Sequence, residues 1–228
     1  MRRDPPETGW SATAAQRLAA WLMQKGVAGT GPLASARDLA RVYLDDARYA
    51  TNDERVDALI ERETIKNFAT GFVTGVGGVI TLPVSIPSAL GASWLIQARM
   101  AGAIASLYGH DLAAARTQTA VLMSLAGDVA KDAMQGLGIP FGSRLTQRAV
   151  EQIPGRALVE INKRIGLRLL TGAGQRGMSS FSRFVPIVGG VVGGALDAIV
   201  CRMVGHTAKT LFRRPDGAVL EGEVVHDA

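Results

Sequence analysis

The sequence holds one cysteine, Cys201, among 228 residues. No disulfide can form within the chain, and no thiolate metal cluster can assemble. Aromatic residues make up only 5%. The interleaved aromatic and basic pattern of nucleic-acid modules is missing, as are zinc spacings, so nucleic acid is a disfavoured partner. The opening MRRDPPETGW has basic residues, but no apolar run follows it. Without that run there is no secretory signal peptide to read, and the expectation is a cytoplasmic protein, or one exported by another route. The Gly-x-Ser-x-Gly, His-Glu-x-x-His and Walker A patterns are absent too. Of the three histidines, His110 reads as a loop residue, His206 as structural, and His226 lies in the tail. The sequence points to no catalytic residue, no metal and no other cofactor, and the expectation is a non-enzymatic protein.

The most telling absence is of charge. From Asn67 to Ala98 the chain runs 32 residues without Asp, Glu, Lys or Arg, between Lys66 and Arg99. Pro83 and Pro87 interrupt this run. Proline lacks a backbone donor and stops a helix, so the run divides into two helices of 16 and 15 residues. At 1.5 Å per residue each is about 24 Å long, short of the roughly 30 Å of a hydrocarbon core. A re-entrant or interfacial hairpin fits better than two spans. Gly71, Gly75 and Gly78 flatten one face of its first helix. A second segment, Pro186 followed by Gly189, Gly190, Gly193 and Gly194, is a natural packing partner, because small residues four apart let helix backbones approach. Whether these segments pack inside a soluble bundle or open toward lipid stays undecided at this point.

What the chain does contain is 47% hydrophobic residues and 27 glycines, a core of small side chains. The mean hydropathy of +0.16 is well short of a polytopic membrane protein. Apolar spacing and capping residues predict an all-α fold. A first helix covers 11–25, followed by a Gly-rich linker at 26–34. Ser35 caps the next helix, with Asp38 three residues on, and Thr51 with Glu54 forms a capping box for the one after. Ser85 caps a helix reaching Tyr108, ended by Gly109. Asp111 caps a long helix at 112–135. Shorter helices follow at 142–151 and 155–170, then a loop over Gly172, Gly174 and Gly177. A last helix ends near Phe212. The domain reading is an N-terminal helix and flexible linker over 1–34, one helical domain over 35–212, and a disordered tail over 213–228.

The excess positive charge is local. Residues 141–184 carry eight Lys/Arg against two Asp/Glu, which suggests an anionic partner or else a solvated face. Within this block Arg156, Lys163, Arg164 and Arg168 share one face of a helix whose other side is apolar. A basic amphipathic helix is the form that lies on an anionic membrane surface. Charges inside otherwise apolar helices are the remaining site candidates: Arg99, Asp128, Asp132, Asp197 and Arg202. A buried charge costs several kcal/mol unless paired, so Asp128 or Asp197 is expected to pair with Arg99 or Arg202.

In order along the chain, FATGFVTGVGGVITLPVSIPSALG, YGHDL, GDVAKD, INKRIGLRLL and FVPIVGGVVGGALDA resemble the EcsC family over roughly residues 50–212. The resemblance implies a bacterial, mainly helical protein whose founding members are encoded beside an ABC transporter linked to secretion. The resemblance also implies a group of EcsC-domain proteins that act on membranes as toxins. The family offers no agreed catalytic residues to carry over. The expectation is a protein held peripherally or re-entrantly at the cytoplasmic face of the inner membrane, with a transporter or another protein as a further partner. The alternatives are a soluble helical adaptor, a membrane-perturbing toxin, or an enzyme with an unrecognised pocket around Asp128 and Asp197.

Overall fold

The computed structural model describes residues 12–29, 34–77, 82–139, 146–179 and 186–213. Every regular element among them is helical. In chain order these are α1 (Ala12–Trp21), α2 (Ala36–Leu44), α3 (Asn52–Gly77), α4 (Leu82–Leu107), α5 (Ala115–Ala126), α6 (Asp128–Gln135), α7 (Gln147–Glu151), α8 (Gly155–Ser179) and α9 (Pro186–Phe212). α1 runs on into a π-helical turn, Leu22–Val27. No helix among the described residues is long and apolar enough to cross a membrane. The tails at 1–11 and 214–228, the linker residues 30–33 and Gly78 lie outside the described residues. So do the side chains at 69–92 and 172–193, and with them the packing expected of Gly71, Gly75, Pro83, Pro87, Gly189, Gly190 and Gly193.

Local chemistry sets the helix ends. The Ser35 side chain accepts from the Asp38 amide at 3.1 Å. The Thr51 hydroxyl accepts from the Glu54 amide at 3.2 Å, while the Glu54 carboxylate accepts from the Thr51 amide at 3.1 Å. That is the reciprocal capping box expected from the sequence. At the end of α4, Gly109 adopts a φ of 77°. His110 N–H then bonds Ala105 C=O at 2.9 Å, the six-to-one closure that a left-handed C-terminal glycine permits.

Several boundaries differ from expectation. The long helix at 112–135 breaks into α5 and α6 because Gly127 turns with φ 57°. Asp111 does not cap it; its carboxylate accepts from the Ala113 amide, and Ala114 holds the cap position. α4 begins at Leu82 rather than near Ser85. Pro83 therefore falls in the first turn, where its missing N–H has no intrahelical partner to lose. α8 continues through Gly172, Gly174 and Gly177 to Ser179, so the expected loop there is helix. Each glycine costs a helix interior about 1 kcal/mol, which weakens a helix without forbidding it.

The core is a bundle centred on α3, α4 and α9. The most extensive helix contact is between α3 and α9, which come from opposite ends of the chain. Four contacts fix their relative direction. Asp53 pairs with Arg213 and Asp57 with Lys209, a Cβ on Gly205 would meet Ile60, and Asn67 donates to Cys201. Rising numbers on α3 match falling numbers on α9, so the two are antiparallel. α3 and α4 are antiparallel as well, since Asp53 meets Tyr108 and Glu63 meets Arg99. α1 lies across α8 so closely that a Cβ at Gly166 would strike the Ala15 backbone.

Candidate functional site

These directions bring three helix ends together. The C-terminal part of α3 and the N-terminal parts of α4 and α9 lie at one end of the bundle. All three are uncharged there: α3 beyond Lys66, α4 before Arg99, and α9 before Asp197. The uncharged stretches of α3 (67–77) and α9 (186–196) are each eleven residues, about 16 Å of helix. The 32-residue run thus supplies two helices of a three-helix feature, and the segment opening α9 is the third.

A polar layer sits where the charges resume. Glu63 is fully buried. One carboxylate oxygen accepts from Lys66 Nζ at 2.7 Å and the other from Arg99 Nη2 at 3.2 Å. Arg99 is 11% exposed, and its Nε has no partner. Asn67, also buried, donates through Nδ2 to the Glu63 carbonyl at 2.8 Å and to Cys201 Sγ at 3.3 Å. The Cys201 thiol is pushed up to about 12, chiefly by burial, with the negative charges of Glu63 and Asp197 adding to it. A thiol so held stays protonated and is no nucleophile.

The sequence anticipated a buried Arg99 but assigned it the wrong partner. Its carboxylate is Glu63, not Asp128 or Asp197. The signal was present: Glu63 falls on the stripe Val56, Leu59, Ile60 at helical spacing, where an acid must be buried. Asp197 is partly buried and lies near Cys201. Asp128, Asp132 and Arg202 are exposed, contrary to expectation. Asp128 is 90% exposed and pairs with Lys131 at 2.8 Å. Lys131 lowers the Asp128 pKa through that hydrogen bond and its charge. These groups point outward because the apolar side of their helices falls on other residues, Ala130, Ala133 and Met134 in α6 and Cys201, Val204 and Ala208 in α9. Neither Asp128 nor Asp197 lines the open groove between α1, α5 and α8.

The outer face of α3 and α9 carries exposed apolar side chains. Ile65 is 63% exposed and Phe68 is also exposed on α3; on α9 Leu196, Ile199 and Met203 are exposed. The residues at 196, 199 and 203 form a stripe at helical spacing on the side opposite the core. By the antiparallel register, both sets stand at the level of the polar layer. They lead directly into the uncharged end, where Gly194 is buried.

The basic face of α8 is placed elsewhere, since that helix packs on α1, α5 and α6. Leu158, Ile161 and Ile165 are buried as expected, but Val159 is exposed. Arg156 and Arg168 face solvent. Lys163 and Arg164 share Glu160, at 3.6 and 3.1 Å. The hydrogen bond from Arg164 holds the Glu160 carboxyl below its usual range. An open groove of about 800 Å³ lies between α1, α5 and α8, with Gln16, Met23, Gln118, Leu122 and Asn162 among its walls. Among the described residues, no group of three or more His, Cys, Asp or Glu side chains could hold a metal.

No curated protein and no solved structure matches the chain. A family model does: the one for the EcsC protein family matches residues 33–214, from just before α2 to just past α9. With that match spanning the bundle and most of the sequence, the chain belongs to the EcsC protein family.

Proposed function

We propose that this EcsC-family chain is a non-enzymatic membrane-associating protein whose uncharged three-helix end dips into one leaflet. The observation that carries the reading is the shared level at which α3, α4 and α9 lose their charges. Above that level two of the helices run about 16 Å. Half of a hydrocarbon core is about 15 Å, so α3 and α9 match one leaflet in depth. The uncharged part of α4, 82–98, is longer at about 25 Å and still short of a full crossing. Helices suit the task because they satisfy their own backbone hydrogen bonds away from water. The exposed side chains Ile65, Phe68, Leu196, Ile199 and Met203 widen the apolar surface at the base of that end. The Lys66, Arg99 and Asp197 level then acts as a stop, since charges resist entry into hydrocarbon. The positive excess in 141–184 favours an anionic leaflet at longer range. A transporter embedded in the same membrane is a fitting second partner.

Vesicle flotation with the full chain tests this. The protein is expected to rise with the vesicles, and Phe68→Ser with Ile199→Ser is expected to remain below. Both side chains are exposed, so the double variant is expected to keep its fold, which its circular-dichroism melt checks. If the parent chain stays in the aqueous fraction with every lipid mixture, the membrane reading fails. The same apolar face would then serve a soluble adaptor docking on a protein.

A further inference from the structure

The membrane reading leaves open which cations meet the headgroups, and α8 is poorly suited to the role. Two of its four basic residues share a carboxylate, and the helix lies on the side of α1, α5 and α6. The cations bordering the apolar face are different ones. Arg62 precedes Ile65 by three positions on α3 and is exposed. Lys66 follows Ile65 directly; it is about half exposed even while held by Glu63. On α9, Arg202 is exposed beside Met203 and three positions after Ile199. The contacts of Ile60 with Gly205 and of Asn67 with Cys201 bracket Arg202, so it stands level with Arg62 and Lys66.

We propose that Arg62, Lys66 and Arg202 form an anionic-headgroup site, resting on the membrane reading above. Arg62 also reaches the Tyr43 hydroxyl on α2, at the other edge of the apolar face from Arg202, and neither arginine is salt-bridged to a carboxylate among the described residues. Glu63 is shared by Lys66 and Arg99, so that trio keeps a net charge of +1. Glu61 on α3 and Asp197 on α9 are further acids at this level, and four cations (Arg62, Lys66, Arg99, Arg202) against three acids (Glu61, Glu63, Asp197) still leave a surplus of +1. The cations are attracted to a surface of net negative charge rather than to one particular headgroup. With Ile65, Phe68, Leu196, Ile199 and Met203 entering the acyl layer, these cations come to lie at headgroup height. The occupant is an anionic phospholipid surface rather than an acidic protein, because the cations border an apolar face continuous with an uncharged helical end.

The test uses the full chain with vesicles of phosphatidylcholine alone and with phosphatidylglycerol added. Each cation near an anionic surface is worth about fivefold in partition. Arg62→Gln with Arg202→Gln is therefore expected to lose about 25-fold on the anionic vesicles. Its binding to neutral vesicles should be unchanged. Arg62→Lys with Arg202→Lys should keep most of the preference, and Arg156→Gln with Arg168→Gln should alter it less than the Arg62 and Arg202 pair does. The headgroup site is overturned if the first pair binds anionic vesicles as the parent does, or if only the α8 pair loses binding. Absence of parent binding to both vesicle types defeats the underlying membrane reading instead, and the site with it.

Discussion

Replacing Glu63 by glutamine keeps the shape of the side chain and removes its charge. The parent carboxylate is fully buried and is shared by Lys66 and Arg99. In the variant, Arg99 keeps a full charge at 11% exposure, with its Nε already without a partner. Breaking a buried ion pair from one side costs about 3–5 kcal/mol, mostly because the remaining charge is stranded. Lys66 is half exposed and can turn to water, so its loss adds little. The lower end, about 3 kcal/mol, is the fitting magnitude. For a chain of this size, 1 kcal/mol moves the thermal midpoint by about 2–4 °C, so a fall of about 6–12 °C is expected. Thermal melts followed by circular dichroism read this directly. Glu63→Gln with Arg99→Met removes both charges, and is expected to be less destabilised than the two single changes combined by at least about 1 kcal/mol. A midpoint within about 2 °C of the parent for Glu63→Gln, or strict additivity in the double variant, would refute the reasoning.

Two other outcomes follow from the packing. Gly166→Ala places a methyl group against the Ala15 backbone, so α1 must lift from α8. A loss of about 1–3 kcal/mol is expected, with faster amide exchange across α1, whereas Gly155→Ala, which meets open space, should leave both unchanged. Cys201 should resist a thiol reagent at mildly alkaline pH and react only once the chain unfolds, because its thiol is buried and pushed up to about 12. The folded state holds that proton more tightly than the unfolded state. The contribution is therefore complete below the ordinary value of 9.0 and is lost as pH rises through about 12. Rapid labelling of the folded chain would contradict the burial.

The sequence made local features legible and left longer-range ones obscure. Ser35, Thr51 with Glu54, and Gly109 cap their helices as expected because each acts within one turn. The outward facing of Asp128, Asp132 and Arg202 was harder to read, because the composition of a segment gives no angle about the helix axis. Phase does give one, and Glu63 could have been found by continuing the stripe from Val56. The break at Gly127 and the continuity of α8 through three glycines depend on tertiary contacts, which override weak local preferences. The all-helical fold was legible from periodicity, as was the EcsC relationship from the order of its blocks. The convergence of α3, α4 and α9 at one end was only partly so. The resemblance of their glycine segments suggested a pairing, while the described contacts give the antiparallel direction.

The pairing of α3 with α9 also bears on how the chain is made. The two helices are joined by about a hundred intervening residues. At a synthesis rate of about 5–20 residues per second, α3 waits on the order of 5–20 s for its main neighbour. For that interval Glu63 and Asn67 lack the wall that encloses them, and Phe68 has apolar neighbours with no cover. A helical protein ordinarily folds fast through nearby contacts, but this one must defer its central contact until its last helix has been made. The nascent chain therefore presents a sticky surface to the cell before it can present a finished one, and its yield should respond to chaperone supply more than its small size suggests.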